Sequence, residues 1–222
     1  MPSRPTATTR RRGRPSAQET QEITGHILTI AKNCFLELGY EATSIDEIVD
    51  RAGISNQTFY NRFSNKASLF EEILRKFADS LLEERRRVDS DLLNLPIDEA
   101  LLKFSVRVLQ QISNPELLAL ERLLLSTLKQ YPENAAIVVS AGDALTEMVE
   151  TLLIGAEVRG EIKVENRRRS SRWFIDGAIG PRMKRSSLGL AQLNLTDTDL
   201  DDIEAYVGFY LRGLCCKVPK AV

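Results

Sequence analysis

Beyond residue 20, apolar positions recur every three or four residues along most of the chain, which is the spacing of amphipathic helices. Ile23, Ile27, Ile30, Ala31, Cys34, Phe35 and Leu38 form the first stripe, and Gly39 follows where a left-handed cap is wanted, so the pattern predicts a helix over 18–38. A short second helix opens at Ser44, because Ser44-Ile45-Asp46-Glu47 has the form of a capping box, and Gly53 closes it. Ser55 can cap a third helix within SNQTFYNRF. On a wheel of about 100° per residue, Phe59 and Phe63 share one face while Gln57 and Asn61 lie opposite, flanked by Thr58 and Tyr60. Ser64 or Asn65 caps a fourth helix with the stripe Leu69, Phe70, Ile73, Leu74, Phe77, Leu81 and Leu82.

The remainder also reads as helix. Pro96 starts a segment running to about Ile112, and Asn114-Pro115 starts another ending near Tyr131-Pro132. Residues 134–158 form a long apolar helix, and Gly160 to Asn166 connect it to the next. That helix, 166–181, is expected to stop at Gly180-Pro181 and to be followed by a loop with Ser186, Ser187 and Gly189. Asp197 or Thr198 caps a final helix to about Cys216. No alternating strand pattern competes and no fixed-period repeat is present. The predicted fold is all-α with about nine helices: an N-terminal three-helix helix-turn-helix domain and a C-terminal helical domain. The expected division is a basic arm at 1–20, a first domain at 21–81 with its helix-turn-helix at 44–63, and a second at 82–222.

The 222 residues are 43% apolar and 27% charged, with a formal net charge of −1, so the molecule as a whole is no polycation. Residues 1–15 nevertheless hold Arg4, Arg10, Arg11, Arg12 and Arg14 and no acid. Such an arm suits nucleic acid or an anionic surface, and it also reads as a solvated tail. Arg10-Arg11-Arg12-Gly13-Arg14-Pro15 resembles an AT-hook core, which would place Arg12 and Arg14 in a narrow minor groove. Three cysteines in a chain of this length imply no disulfide framework and fit a reducing cytosol. Cys34 falls in an apolar stripe, and Cys215-Cys216 read as structural. The opening sixteen residues lack an apolar core, and no run of 18 apolar residues occurs, so neither a signal peptide nor a membrane span is expected.

Two short helices joined by Ala52-Gly53-Ile54-Ser55 have the turn of a helix-turn-helix, whose second helix would enter the major groove. Gln57 and Asn61 carry amides able to pair with adenine, and the Thr58 methyl can touch a thymine methyl. Tyr60, Lys66 and Ser44 are phosphate-contact types. The same spacing occurs in helical proteins that bind no DNA, and spacing alone leaves both readings open. An enzyme is the weaker alternative. One histidine, His26, no phosphate loop, no metal-spaced His/Cys set and no Ser–His pair leave no catalytic residues, no metal ligands and no cofactor site to name.

The final helix is apolar almost around its circumference, which demands burial on two sides. One side can meet its own domain and the other a second copy, giving Ile203, Tyr206, Val207, Tyr210 and Leu214, with Trp173, Phe174 and Gly177 on the preceding helix, as an expected dimer interface. The run Arg167-Arg168-Arg169 with Arg172 opens a helix, where the dipole disfavours cations, so these arginines are expected to pair with acids or be solvated.

HILTIAKNCFLELGYEATSIDEIVDRAGISNQTFYNRFSNKASLF is similar to the N-terminal domain of the TetR/AcrR family of bacterial regulators. The likeness rests on Ile27-Leu28, Ala31, Phe35, Gly39-Tyr40, Thr43-Ser44, Ile48, Ala52 to Ser55, Thr58 to Tyr60, Phe63, Lys66 and Leu69-Phe70. It implies a dimeric, all-helical repressor that leaves its operator when a small molecule binds. It also implies that Tyr60 and Lys66 hold phosphates, that Ser44 caps the second helix, and that positions 56–61, Asn56 included, read bases. Two positions depart from the family: Val49 replaces a common alanine, and Gln57 stands where glycine is frequent. NPELLALERLLLSTLKQYPENAAIV resembles the AefR-like C-terminal domains, with Arg122-Leu123 as the shared pair. By that likeness the C-terminal helices would enclose an effector cavity lined by Phe104, Leu120, Leu124, Leu145, Met148 and Trp173, residues that also read as plain core. The implied partners are a palindromic or pseudo-palindromic double-stranded operator, a second copy of the chain and a small-molecule effector, with no membrane. The implied location is the cytoplasm, at the nucleoid.

Overall fold

The computed structural model describes residues 17–89 and 91–215. Among these, ten α-helices and one short 3-10 turn account for the regular structure, and there is no strand. The chain divides into two compact units, Met1–Phe70 and Glu71–Val222.

The first unit contains α1 (Ala17–Leu38), α2 (Ile45–Ala52), α3 (Asn56–Tyr60) and the start of α4 (Lys66–Asp89). Ile27, Ala31, Phe35, Ile48, Phe59, Leu69 and Phe70 are buried, as the apolar stripes require. Three rings form its centre: Phe35 lies 5.4 Å from both Tyr40 and Phe70, edge-on to the latter, and Tyr40 lies 4.9 Å from Phe70. Gly39 ends α1 at φ +83°, a value that costs glycine least, with its amide on Phe35 O. The capping box at α2 forms only in half. The Glu47 amide donates to Ser44 Oγ at 3.1 Å, but the Glu47 carboxylate accepts from Arg51 at 2.6 Å instead of reaching back. Arg51 also donates to Glu37 on α1 at 2.6 Å, so the pairing one turn along the helix draws α1 and α2 together.

The second unit contains α5 (Ile97–Ile112), α6 (Pro115–Thr127), a 3-10 turn at Pro132–Asn134, α7 (Ala135–Val158), α8 (Arg167–Ala178), α9 (Gly180–Ser187) and α10 (Asp197–Cys215). Two expectations change here. Gly180-Pro181 begins a helix rather than ending the region's helical structure, because proline is tolerated in a first turn where its missing N–H has no partner to lose. The cap of α10 is Thr196 rather than Asp197 or Thr198. Asp199 N donates to Thr196 Oγ1 at 3.2 Å, and Thr196 N and Oγ1 donate back to Asp199 Oδ2 at 2.8 and 2.7 Å. This reciprocal pair uses Asp in the place of the usual Glu or Gln.

Phe104, Val149, Leu153, Phe174, Val207 and Tyr210 belong to one core shared by α5, α7, α8 and α10. Of the four arginines expected to pair with acids or be solvated, Arg168 reaches Asp143 at 2.9 Å and Glu147 at 3.5 Å on α7 and Arg167 pairs with Glu157, while Arg169 and Arg172 are exposed. Arg182 pairs with Asp199 at 2.6 Å and donates to the carbonyls of Gln192 and Asn194, closing the α9–α10 loop. Arg122 caps the end of α9 through the carbonyls of Ser186 and Ser187.

These bonds give acid sensitivity a direction. The Val164 amide and Arg167 hold the Glu157 carboxyl below its ordinary range, and Arg159 does the same for Glu161. At Asp199 burial pushes the other way and is the largest single influence, but the hydroxyl and amide of Thr196 and the charge of Arg182 together outweigh it. A carboxylate whose folded pKa is depressed adds stability above its unfolded pKa and loses it as pH falls through the folded value. Thermal melts should therefore be flat from neutrality down to roughly pH 5 and decline below about pH 4. Glu157→Gln should blunt that decline, and an unchanged acid limb in the variant counts against the assignment.

Candidate nucleic-acid interface

The first unit places a short polar helix after a sharp turn. Gly53 adopts φ +63° and ψ +34°, and its amide meets Asp50 O and Val49 O, so α2 stops cleanly. Ser55 then caps α3: Thr58 N donates to Ser55 Oγ at 3.1 Å, and the two hydroxyls lie 2.9 Å apart. Phe59 and Phe63 are buried with ring centroids 5.7 Å apart, and they fix the helix to the body of the unit. Arg62 Nη1 donates to Thr58 O at 2.8 Å across the end of α3. His26 Nε2 lies 3.1 Å from Ala52 O, so that nitrogen carries the hydrogen and ties α1 to the end of α2.

On the opposite side Asn56, Gln57, Tyr60 and Asn61 are exposed, and Thr58 is half-buried. Tyr60 is 55% exposed although its ring meets Phe59 edge-on at 5.3 Å, so the phenol is supported on one side and open to solvent on the rest. Asn61 ends α3, one turn from Gln57, and its backbone N–H donates to Gln57 O. Asn56 Nδ2 lies 3.5 Å from Asp46 Oδ1, at the outer edge of hydrogen bonding. The geometry brings together a capped short helix, two exposed amides four residues apart and a propped tyrosine, an arrangement able to present donors and acceptors to base edges. Arg12 and Arg14 lie outside the described residues.

Ser44 and Lys66 do local work that the sequence only partly indicated. Ser44 is exposed and caps α2. Lys66 Nζ donates to three main-chain carbonyls, of Tyr40 at 2.7 Å, Thr43 at 3.0 Å and Glu41 at 3.3 Å, and stands 4.5 Å from the Tyr40 ring centroid. Nothing in the sequence pairs positions separated by 23–26 residues, so this contact had no signal.

In the second unit several expected interface residues point inward. Phe174, Ile203, Val207 and Tyr210 are buried in the protomer's own core and leave no surface for a partner. Burial pushes the Tyr210 hydroxyl up to about 12. Gly177 serves the same protomer as well. A Cβ there would stand 2.1 Å from Tyr206, whose hydroxyl donates to Trp173 O at 2.9 Å. Tyr206 and Leu214 are half-buried. The outward face of α8 and α10 instead carries Trp173, 57% exposed, and Phe209, 65% exposed. Arg169 lies over the Trp173 ring at 5.2 Å. Trp173 is therefore a surface residue and not a cavity liner. Of the other residues assigned to a cavity, Phe104 and Leu145 are buried in the main core and Met148 packs against it, whereas Leu120 and Leu124 are buried outside that cluster.

Residues 27–73 match the family described as bacterial regulatory proteins, tetR family, and residues 99–213 match the AefR-like transcriptional repressor, C-terminal domain. The chain is 38% identical over 66 residues to the transcriptional activator FasR of Mycolicibacterium smegmatis, covering 30% of each protein. It is 38% identical over 77 residues to the transcriptional repressor KstR2 of Rhodococcus jostii, covering 33% of this chain and 38% of that one. Both matches span well under half of the relative's length. A solved TetR-family regulator from Mesorhizobium loti superposes with a TM-score of 0.77 over 87% of this chain and 97% of its own, at 21% identity, and so shares the fold. The helix-turn-helix unit and the second helical unit thus each have their counterpart, and the chain belongs to the TetR family of bacterial regulators, with an AefR-like C-terminal domain.

Proposed function

We propose that this protein is a sequence-specific DNA-binding transcriptional regulator that represses its target and leaves its operator when a small molecule binds. The observation that carries the reading is α3: a helix of five residues held from below by Phe59 and Phe63, with Asn56, Gln57, Tyr60 and Asn61 exposed on the other side. A structural helix has no need of three outward amides on so short a scaffold. In this reading Gln57, Asn61 and Asn56 meet base edges, the Thr58 methyl touches a thymine, and Tyr60 and Ser44 contact phosphates. Arg12 and Arg14 of the arm enter the adjacent minor groove.

The second unit takes the effector and pairs two copies through the outward face of α8 and α10. A palindromic or pseudo-palindromic operator matches such a two-fold assembly. The protein acts by binding rather than turnover, at the nucleoid in the cytoplasm. Its matches include one protein named an activator and one named a repressor, and the AefR-like repressor match over 99–213 favours repression.

The test is a gel shift of the full chain against the DNA upstream of its own reading frame, beside a scrambled duplex, at physiological salt. Gln57→Ala and Asn61→Ala should each cost about 1–3 kcal/mol at the contacted step and narrow the gap between the two duplexes. Equal affinity of the unaltered protein for both duplexes would sink the reading.

A further inference from the structure

We infer that His26 is a positioning residue for operator recognition: its imidazole fastens the end of α2 to α1 and so fixes where the reading helix α3 begins. Carbonyls in the last turn of a helix lack an intrahelical donor and need one from elsewhere. At the end of α2 two amides of the turn meet this need, Gly53 N on Asp50 O and Ile54 N on Val49 O. Ala52 O, the last carbonyl of the helix, has no main-chain donor among the described residues. Its partner is His26 Nε2 at 3.1 Å, reaching over from α1.

A bond to the main chain constrains the path of the backbone itself. Another link between α1 and α2, Arg51 to Glu37, joins two long side chains that can follow a shift of the helix. Only Gly53, Ile54 and Ser55 stand between Ala52 and Asn56, the first residue of α3. Phe59 and the following Phe63 hold the far end of α3 in the core. The tie at Ala52 supplies a second fixed point, beside the end that carries Asn56 and Gln57. Two fixed points set the direction of so short a helix, whereas one allows it to pivot about the phenylalanines. His26 itself is exposed, so its removal opens no cavity, and alanine is the better helix former at its place in α1. Its loss therefore acts on the aim of α3 rather than on the fold.

The consequence rests on the DNA-binding reading, the tie does not, and two experiments keep them apart. In the first, the full chain with His26→Ala or His26→Gln is titrated against operator and scrambled duplexes over a range of salt. His26→Ala should lower operator affinity by roughly three- to tenfold, the net worth of one hydrogen bond, and leave scrambled affinity and the slope of log affinity against log salt unchanged. His26→Gln should restore most of the loss, because the glutamine amide can donate where the imidazole Nε2 does. A phosphate contact at His26 would instead weaken both duplexes alike and reduce the slope by up to about 0.9. A loss of folded fraction would lower both affinities together and leave their ratio intact. The second experiment uses no DNA: hydrogen exchange of the native protein and both variants, read by peptide mass spectrometry. The peptide spanning 50–58 should exchange at least about threefold faster in His26→Ala and return to the native rate in His26→Gln, while the α1 core at 27–35 keeps its native rate. A turn that exchanges at the native rate in the alanine variant, equal acceleration across the whole first unit, a reduced salt slope, an unchanged duplex ratio or no rescue by glutamine would each overturn the inference. Equal binding of both duplexes by the unaltered protein would sink the DNA-binding reading instead, and the exchange rates would still decide the tie.

Discussion

Trp173→Glu combined with Phe209→Glu should convert the protein to a monomer and lower operator affinity by roughly a hundred- to ten-thousandfold, the range lost when a second binding event stops being intramolecular. Both side chains stand outside the protomer, 57% and 65% exposed, on neighbouring helices of the second unit. They belong to a run of rings that reaches inward: Phe209 lies 6.2 Å from Tyr206, Tyr206 lies 6.0 Å from Phe174, and Phe174 meets Tyr210 edge-on at 5.0 Å. An outer end left in water is a costly use of two large aromatics unless a partner covers it. Two glutamates on each copy bring four carboxylates into the proposed contact, and burying unpaired charge there is prohibitive. The fold should survive, because substitutions at exposed positions away from caps and networks usually change stability by no more than about 0.5 kcal/mol. Sedimentation equilibrium and a gel shift on one preparation check both halves. A double variant that stays dimeric with full affinity would place the contact elsewhere.

The place of this face turns on an angle that the sequence does not specify. The sequence of α10 is apolar nearly all round, but within the protomer the expected burial on two sides is met on one. It does not show which part of the circumference the protomer takes for itself. Ile203, Val207 and Tyr210, at spacings of four and three, form the buried stripe, and Phe209 sits well round the helix from it. Periodicity fixes relative angles within a helix, whereas the zero of angle is set by packing against α5 and α8, which no local pattern encodes. Capping is legible where a glycine or hydroxyl signal is unambiguous. Gly39, Ser44, Gly53 and Ser55 behave as their positions suggest, because those residue types answer a backbone demand within three or four positions. Thr-Asp-Thr-Asp offers several capping oxygens, and only the geometry selects Thr196. Pro181 suits a helix start as well as a stop, and the sequence alone does not choose between them. The polar side of α3 was legible because both halves of its logic lie within nine residues. The Lys66 contact was not, because its partners lie more than twenty residues away.

Phe59→Ala should unfold the first unit or come close to it. Removing a fully buried phenylalanine typically costs about 3–5 kcal/mol, combining lost transfer energy with the cavity left behind. Two features push this site towards the upper end. The helix carrying Phe59 has five residues, far too few to form without tertiary support, so losing its anchor removes the reason for the helix to exist. A unit this small also has little core to spare, and Phe59 is among its largest wholly buried side chains. DNA binding should therefore disappear at every salt concentration rather than shift in preference, unlike the effect of Gln57→Ala. The sole tryptophan, Trp173, lies in the second unit and supplies an internal control. In a thermal melt of the variant, part of the far-ultraviolet helical signal should be lost early, while the Trp173 fluorescence transition keeps its midpoint. Tyr60→Phe, which alters only an exposed hydroxyl, should leave both transitions in place. A Trp173 midpoint that falls together with the helical signal would show the two units unfolding as one and would remove the local account of Phe59.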